Sequence, residues 1–222
     1  MLQPRKHITK REIKEDALVT AYFRVRKFIQ KYSRHLNIGL LAVLIIVVVA
    51  VFMFRSKRNA EFTATERLGV AEQSYDASNY LTLVDELTQI VNAYPGTRAA
   101  GEASFYIGNT YFMIEDYVNA QKYYQLYMDD YSDNDLFSVS AMAGVATCYE
   151  VQNRFIEAAQ LYEKAGKRYS RLFHAPFYLK DAARCYGLAG ESEKAKMTYR
   201  MIIDQYPESS IKQEVEFLLE SL

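Results

Sequence analysis

A tyrosine that returns at a fixed step constrains this chain more than any other feature. Tyr94, Tyr131, Tyr169 and Tyr206 are separated by 37, 38 and 37 residues. The segments closing on the last three are "IGNTYFMIEDYVNAQKYYQLYMDDYS", "VATCYEVQNRFIEAAQLYEKAGKRYS" and "AARCYGLAGESEKAKMTYRMIIDQYP", and they align without a gap. Tyr111, Tyr149 and Tyr186 share one position in them. Ala120, Ala158 and Ala195 follow nine residues on, and Tyr124, Tyr162 and Tyr199 four further. A weaker copy, "VAEQSYDASNYLTLVDELTQIVNAYP", comes before them and ends the same way. A packing code repeats with the architecture, whereas a binding site need not, so these tyrosines and alanines read as packing.

These residues resemble the tetratricopeptide repeat (TPR), a pair of antiparallel helices with small, aromatic and small residues at set places and a closing proline. Gly108, Ala146 and Ala183 match the small residue of the first helix, where a close second helix excludes a larger side chain. Tyr111, Tyr149 and Tyr186 match its large aromatic, Ala120, Ala158 and Ala195 the second small position, and Pro95 and Pro207 the closing proline. The resemblance spans units of about 64–96, 101–132, 139–170 and 176–207. It implies an all-α solenoid with a concave wall as its usual binding surface.

The chain departs from the pattern in three ways. Ser104, Met142 and Leu179 stand where Trp or Leu is usual, and Ser132 and Ser170 replace the proline. The step exceeds the usual length of about 34 residues, which predicts longer connections at "YPGTRAAG", "YSDNDLFS" and "YSRLFHAP". Ala71 and Leu83 hold the small positions of the first unit, which is therefore expected either to pack more loosely or to act as an atypical cap. Residues 208–222 read as a final amphipathic helix with Ile211, Val215, Leu218 and Leu219 turned to the last unit.

"IGLLAVLIIVVVAVFMF", Ile38 to Phe54, runs seventeen residues without a charge. A bilayer core of ~30 Å needs about 17–25 apolar residues as a helix. The run begins after a long charged arm and ends in "RSKRN", unlike a cleaved signal peptide, and no Cys follows it as a lipoprotein anchor would require. It is read as a transmembrane signal anchor over 36–55, with a linker at 56–63 and the repeat domain at 64–222. The zero net charge of the whole chain hides an asymmetry. Residues 1–35 carry ten Lys/Arg against three acids, and residues 59–222 fourteen against twenty-four. The positive-inside bias places the amino terminus in the cytoplasm and the large domain across the membrane, with Arg55, Lys57 and Arg58 opposing it.

In the arm, Thr9 and Glu12 form a capping box. Ile13, Ala17, Ala21, Val25, Phe28 and Tyr32 then recur at helical steps among Arg24, Arg26, Lys27 and Lys31. Such a basic amphipathic helix suits an anionic membrane surface, so lipid is an expected partner and nucleic acid is not.

Catalytic signatures are missing. The sequence has no Walker loop, dinucleotide glycine fingerprint, HExxH or GxSxG, and His7, His35 and His174 lie far apart. "DDYSDND", Asp129 to Asp135, lacks the glycine and terminal glutamate of a calcium loop. No enzyme, metal or cofactor is expected. Cys148 and Cys185 hold equivalent positions in adjacent units and are read as buried, unbridged thiols, since helix axes pack about 8–10 Å apart and a disulfide needs closer Cα atoms. Unbridged thiols sit uneasily in an oxidising compartment unless they are shielded.

In the TPR geometry, Glu102, Phe105, Asn109 and Phe112, then Ser140, Ala143, Thr147 and Glu150, then Phe177, Lys180 and Arg184 face the groove. Lys180 and Arg184 could meet a carboxylate but are only part of what a dicarboxylate clamp needs, so an ordinary solvated face is the stronger expectation there, while Phe105 and Phe112 suit apolar segments of an unfolded client. Tyr123 has no aromatic counterpart at Leu161 or Thr198, which makes it the tyrosine of its helix to suspect of serving a partner. The layout of basic arm, membrane helix and TPR-like domain resembles the ancillary subunit of the bacterial Sec translocon. That resemblance implies a single-pass inner-membrane protein whose periplasmic domain docks translocated proteins, translocon subunits or chaperones. Other membrane-tethered scaffolds, in envelope assembly or cell division, share the layout, and so would a noncatalytic subunit of an enzyme complex.

Overall fold

The computed structural model describes residues 10–74 and 80–221. Thr9, and with it the expected capping box, lies outside the described residues, as do residues 75–79. The described residues form helices α1 (Lys10–Ser74), α2 (Tyr80–Ala93), α3 (Arg98–Met113), α4 (Tyr117–Asp130), α5 (Asp135–Val151), α6 (Phe155–Arg168), α7 (Ala175–Leu188), α8 (Ser192–Gln205) and α9 (Lys212–Glu220). No strand occurs among them.

The chain divides into two units, Met1–Ser56 and Lys57–Leu222. In the first, residues 38–54 are helical and exposed throughout. At 1.5 Å per residue this run extends about 26 Å, close to a bilayer core. One helix among the described residues is thus long and apolar enough to cross a membrane. Residues 56–63, the expected linker, are helical and belong to α1. The physical reason is local: "SKRNAEFT" contains no glycine or proline to interrupt the backbone, and Lys, Arg, Ala and Glu favour helix. Glu61, inside that stretch, accepts hydrogen bonds from the backbone N–H groups of Arg98 (2.8 Å) and Ala99 (3.2 Å) and so caps α3.

In the second unit each helix packs on the next in chain order, giving the pairs α3/α4, α5/α6 and α7/α8. Every pair is closed by the same turn. Glu115, Asn153 and Gly190 take up left-handed backbone at φ 62°, 59° and 81°. One residue later the N–H groups of Asp116, Arg154 and Glu191 donate back to the carbonyls of Tyr111, Tyr149 and Tyr186 at 2.9, 2.8 and 2.9 Å. This closure satisfies carbonyls that the end of a helix leaves without partners. The recurring tyrosine therefore also marks where each first helix ends.

The small residues exist because a ring occupies their space. A Cβ on Gly108 would lie 2.7 Å from Tyr124 Cδ1, and one on Gly144 would lie 2.6 Å from Tyr124 Cε2. Tyr124, on α4, is thus held between α3 of its own pair and α5 of the next. Tyr162 is buried with Ala146, Ala158 and Ala182, and Tyr199 with Ala183. Ile211 and Val215 are buried in that last cluster with Leu218 and Leu219 against it, so α9 covers the final pair. The first pair is not loosely packed. Leu83 is 2% exposed and shares a cluster with Ala64, Leu68, Ala71, Leu87 and Ile90, so the larger side chain fills the space that alanine leaves elsewhere.

Two stability measurements test this account. Gly144→Ala is expected to cost about 1–3 kcal/mol, because Gly108 blocks retreat of the Tyr124 ring, while Lys180→Ala, which removes only a surface ion pair, stays within about 1 kcal/mol. Equal losses in chemical denaturation would contradict the wedge. Glu115→Gly should raise stability by about 0.5–1 kcal/mol by relieving left-handed strain. A lower thermal midpoint for this variant would show that the Glu115 side chain matters more than its backbone.

Candidate functional site: the wall of first helices

Helices α3, α5, α7 and α9 form one continuous wall. α3 touches α5 directly, while charged side chains join the later helices. Arg184 donates to both carboxylate oxygens of Glu150, at 2.6 Å to Oε1 and 2.9 Å to Oε2, linking α7 to α5. Lys180 Nζ donates to Glu214 at 2.9 and 3.1 Å, linking α7 to α9. The bidentate geometry of the arginine pair is the stronger form of such contacts. Both cations are therefore engaged by carboxylates of this chain.

The other expected groove residues sit deeper. Phe105 is half-buried at the centre of a ring cluster, 5.1 Å from Phe137 and 5.8 Å from Tyr124 between centroids. Phe112 meets Tyr117 edge-on at 5.4 Å. Asn109 Oδ1 accepts the Tyr124 hydroxyl at 2.7 Å, and Thr147 bonds the Tyr162 hydroxyl at the same distance. These polar residues thereby satisfy the buried end of each wedged ring. Phe177 packs on the last cluster and lies 5.8 Å from Phe173. Tyr123 is half-buried and stacks on Tyr111 at 5.6 Å with an 18° interplanar angle, so packing accounts for it.

Sequence reasoning missed two wall residues. Glu214 and Phe217 stand 37 residues after Phe177 and Lys180, so one more application of the repeat step to α9 finds them. Phe217 is 70% exposed. Phe173, at the α6–α7 connection, is 74% exposed beside a cleft of about 410 Å³ that Pro176, Tyr206 and Pro207 also line. A more polar cleft of about 510 Å³ is lined by Met128, Tyr149, Leu161 and Lys164.

Electrostatics follow the same pairs. The Arg184 hydrogen bonds hold the Glu150 carboxyl below its ordinary range. Burial pushes the carboxyls of Asp181 and Glu102 up. Burial likewise raises the thiols of Cys148 to about 11 and Cys185 to about 12, and both cysteines are free. Thiols so far from ionisation are poor nucleophiles and poor partners for disulfide exchange. Among the described residues no group of three His, Cys, Asp or Glu could hold a metal ion. His174 stands at the start of α7 with its ring 5.5 Å from Phe173 and 6.3 Å from Phe177.

The Glu150–Arg184 pair predicts a pH dependence. The folded carboxyl binds its proton less readily than the unfolded one, so the stabilisation is complete above the unfolded value of about 4.3 and is lost as pH falls through the lower folded value. Glu150→Gln should lower the melting temperature at neutral pH and flatten its decline in acid. An acid limb unchanged in this variant would assign the pH dependence to other carboxyls.

Two stretches, residues 102–134 and 181–209, match the family model described as tetratricopeptide repeat. They take in α3 and α4, and the end of α7 with α8. No curated protein matches the chain. Among 36 matching chains of solved structures is the crystal structure of MamA protein, with 16% identity and a TM-score of 0.53 over 65% of this chain and 74% of that one. At that identity the likeness speaks for the fold alone. The chain is thus similar to tetratricopeptide-repeat proteins in those two stretches and shares their all-α solenoid fold.

Proposed function

We propose that this protein is a single-pass, membrane-anchored protein-interaction module that docks or chaperones polypeptides emerging from the Sec translocon. The observation that carries the reading is a stack of TPR-like helix pairs in a chain that also holds a helix apolar enough to cross a membrane. Tetratricopeptide repeats are protein-binding modules, and the wall of first helices is the surface they commonly use. Its two central cations are paired within the chain, whereas Phe177 and Phe217 remain accessible, which favours apolar client segments over acidic tails. The role is noncatalytic and needs no cofactor.

The excess of cations before the apolar run supports a cytoplasmic amino terminus, with the repeat domain in the periplasm of a bacterial inner-membrane protein. Buried, weakly acidic thiols are compatible with that compartment. Crosslinking in intact membranes, read by mass spectrometry, tests the assignment. Recovery of translocon subunits and nascent clients is expected, with fewer client crosslinks for Phe217→Ala. Enrichment of an envelope-assembly or cell-division complex instead would replace the translocon reading with a structural scaffold. Digestion of the domain by protease in inverted vesicles would reverse the topology.

A further inference from the structure

Helix α1 carries an apolar face, outside the apolar run, that no described part of the chain covers. Tyr22, Val25, Phe28, Ile29 and Tyr32 are exposed by 61, 56, 59, 50 and 38%. At about 100° per residue these five and Ala21 fall on one side of the helix. Arg24, Lys27, Lys31 and Arg34 fall on the other, with the exposed Phe23 among them, and Arg26 at the edge. The aromatic residues associate along the stripe, with Phe28 and Tyr32 4.8 Å apart between centroids and Lys31 Nζ 5.4 Å from the Tyr32 ring. Aromatic rings beside cationic side chains are the usual lining of a membrane–water interface.

Resting on the reading of residues 36–55 as a membrane anchor, we propose that this face lies in the surface of an anionic phospholipid leaflet. Its basic neighbours then meet the headgroup phosphates. Two observations select lipid as the occupant. Residues 1–35 carry a net charge of +7, which attracts an anionic surface and opposes close packing of a second copy. The stripe also leads into the apolar run, since Tyr32 precedes Ile38 by six residues. A straight helix continuing through the bilayer would hold Tyr22 about 24 Å out in water with its apolar face bare. Lying in the interface instead requires the axis to turn after Arg34. Asn37 and Gly39, both weak helix formers, stand where that turn is needed.

The chain contains no tryptophan, so a single introduced one reports its own surroundings. The full chain is reconstituted in phosphatidylcholine vesicles with brominated acyl chains, with or without phosphatidylglycerol. Phe28→Trp should be quenched by the bromolipid when phosphatidylglycerol is present and lose that quenching without it. Thr20→Trp, on the basic side, should stay open to aqueous acrylamide. Combining Phe28→Trp with Arg24→Gln, Lys27→Gln and Lys31→Gln should abolish the dependence on lipid charge. Ile45→Trp, in the apolar run, should be quenched in both vesicles, and its failure would overturn the anchor while leaving the result at position 28 to decide the arm. With Ile45→Trp quenched, three outcomes overturn the proposal. Phe28→Trp could escape the bromolipid, be quenched equally in both vesicles, or be shielded from acrylamide without bromolipid quenching, which marks a protein contact.

Discussion

The Tyr124 ring, held between two glycines on successive first helices, is the contact from which the repeat domain is built. A ring has two long edges, and here the Cδ1–Cε1 edge lies against Gly108 of its own helix pair and the Cδ2–Cε2 edge against Gly144 of the next. Burial of the ring is therefore complete only when the neighbouring pair is in place, and its hydroxyl must find a partner inside that sandwich. Asn109 provides it, as Thr147 does for Tyr162. Where a wedge is closest the flanking residue is glycine, and in the later units alanine suffices. The same contact thus sets the spacing of the helices, the identity of the small residues and the polar position on each first helix.

Once the rings are fixed, little freedom remains on the wall. Side chains at the polar position of the earlier pairs are occupied by tyrosine hydroxyls, and in the last pair that position holds Arg184, which reaches across to Glu150. Lys180 repeats the gesture toward Glu214. These cations tie neighbouring units together at the surface, in addition to the buried contacts beneath them. What stays accessible on the wall is mixed, with Phe217 exposed alongside Arg184 and Glu214, whose charges are each paired within the chain.

Much of the fold was legible because its determinants are local and repeated. A small residue opposite a ring leaves the same mark in every unit, and three aligned copies make that mark stand out from chance. Tertiary reach was less legible. That Arg184 would grip Glu150, 34 residues away, depends on how far α7 is set from α5, and no spacing within one unit encodes it. Tyr123 looked unmatched because its partner, Tyr111, lies on the preceding helix and not at its own position in another unit. Residues 56–63 have ordinary helix preferences, so α1 runs through them without a break. Phe217 is hard to find from the sequence because α9 has no second helix after it, among the described residues, to mark it as part of a pair.

The ties described above are short in sequence. Tyr124 and Asn109 are 15 residues apart, Thr147 and Tyr162 also 15, and the ion pair between units spans 34. Loop closure over such distances is fast and costs little entropy. A domain wired in this way can assemble in the order in which it is delivered, each unit completed by the first helix of the next. For a chain that emerges from its amino-terminal end, whether from the ribosome or through a channel, no early segment has to wait for a distant late one.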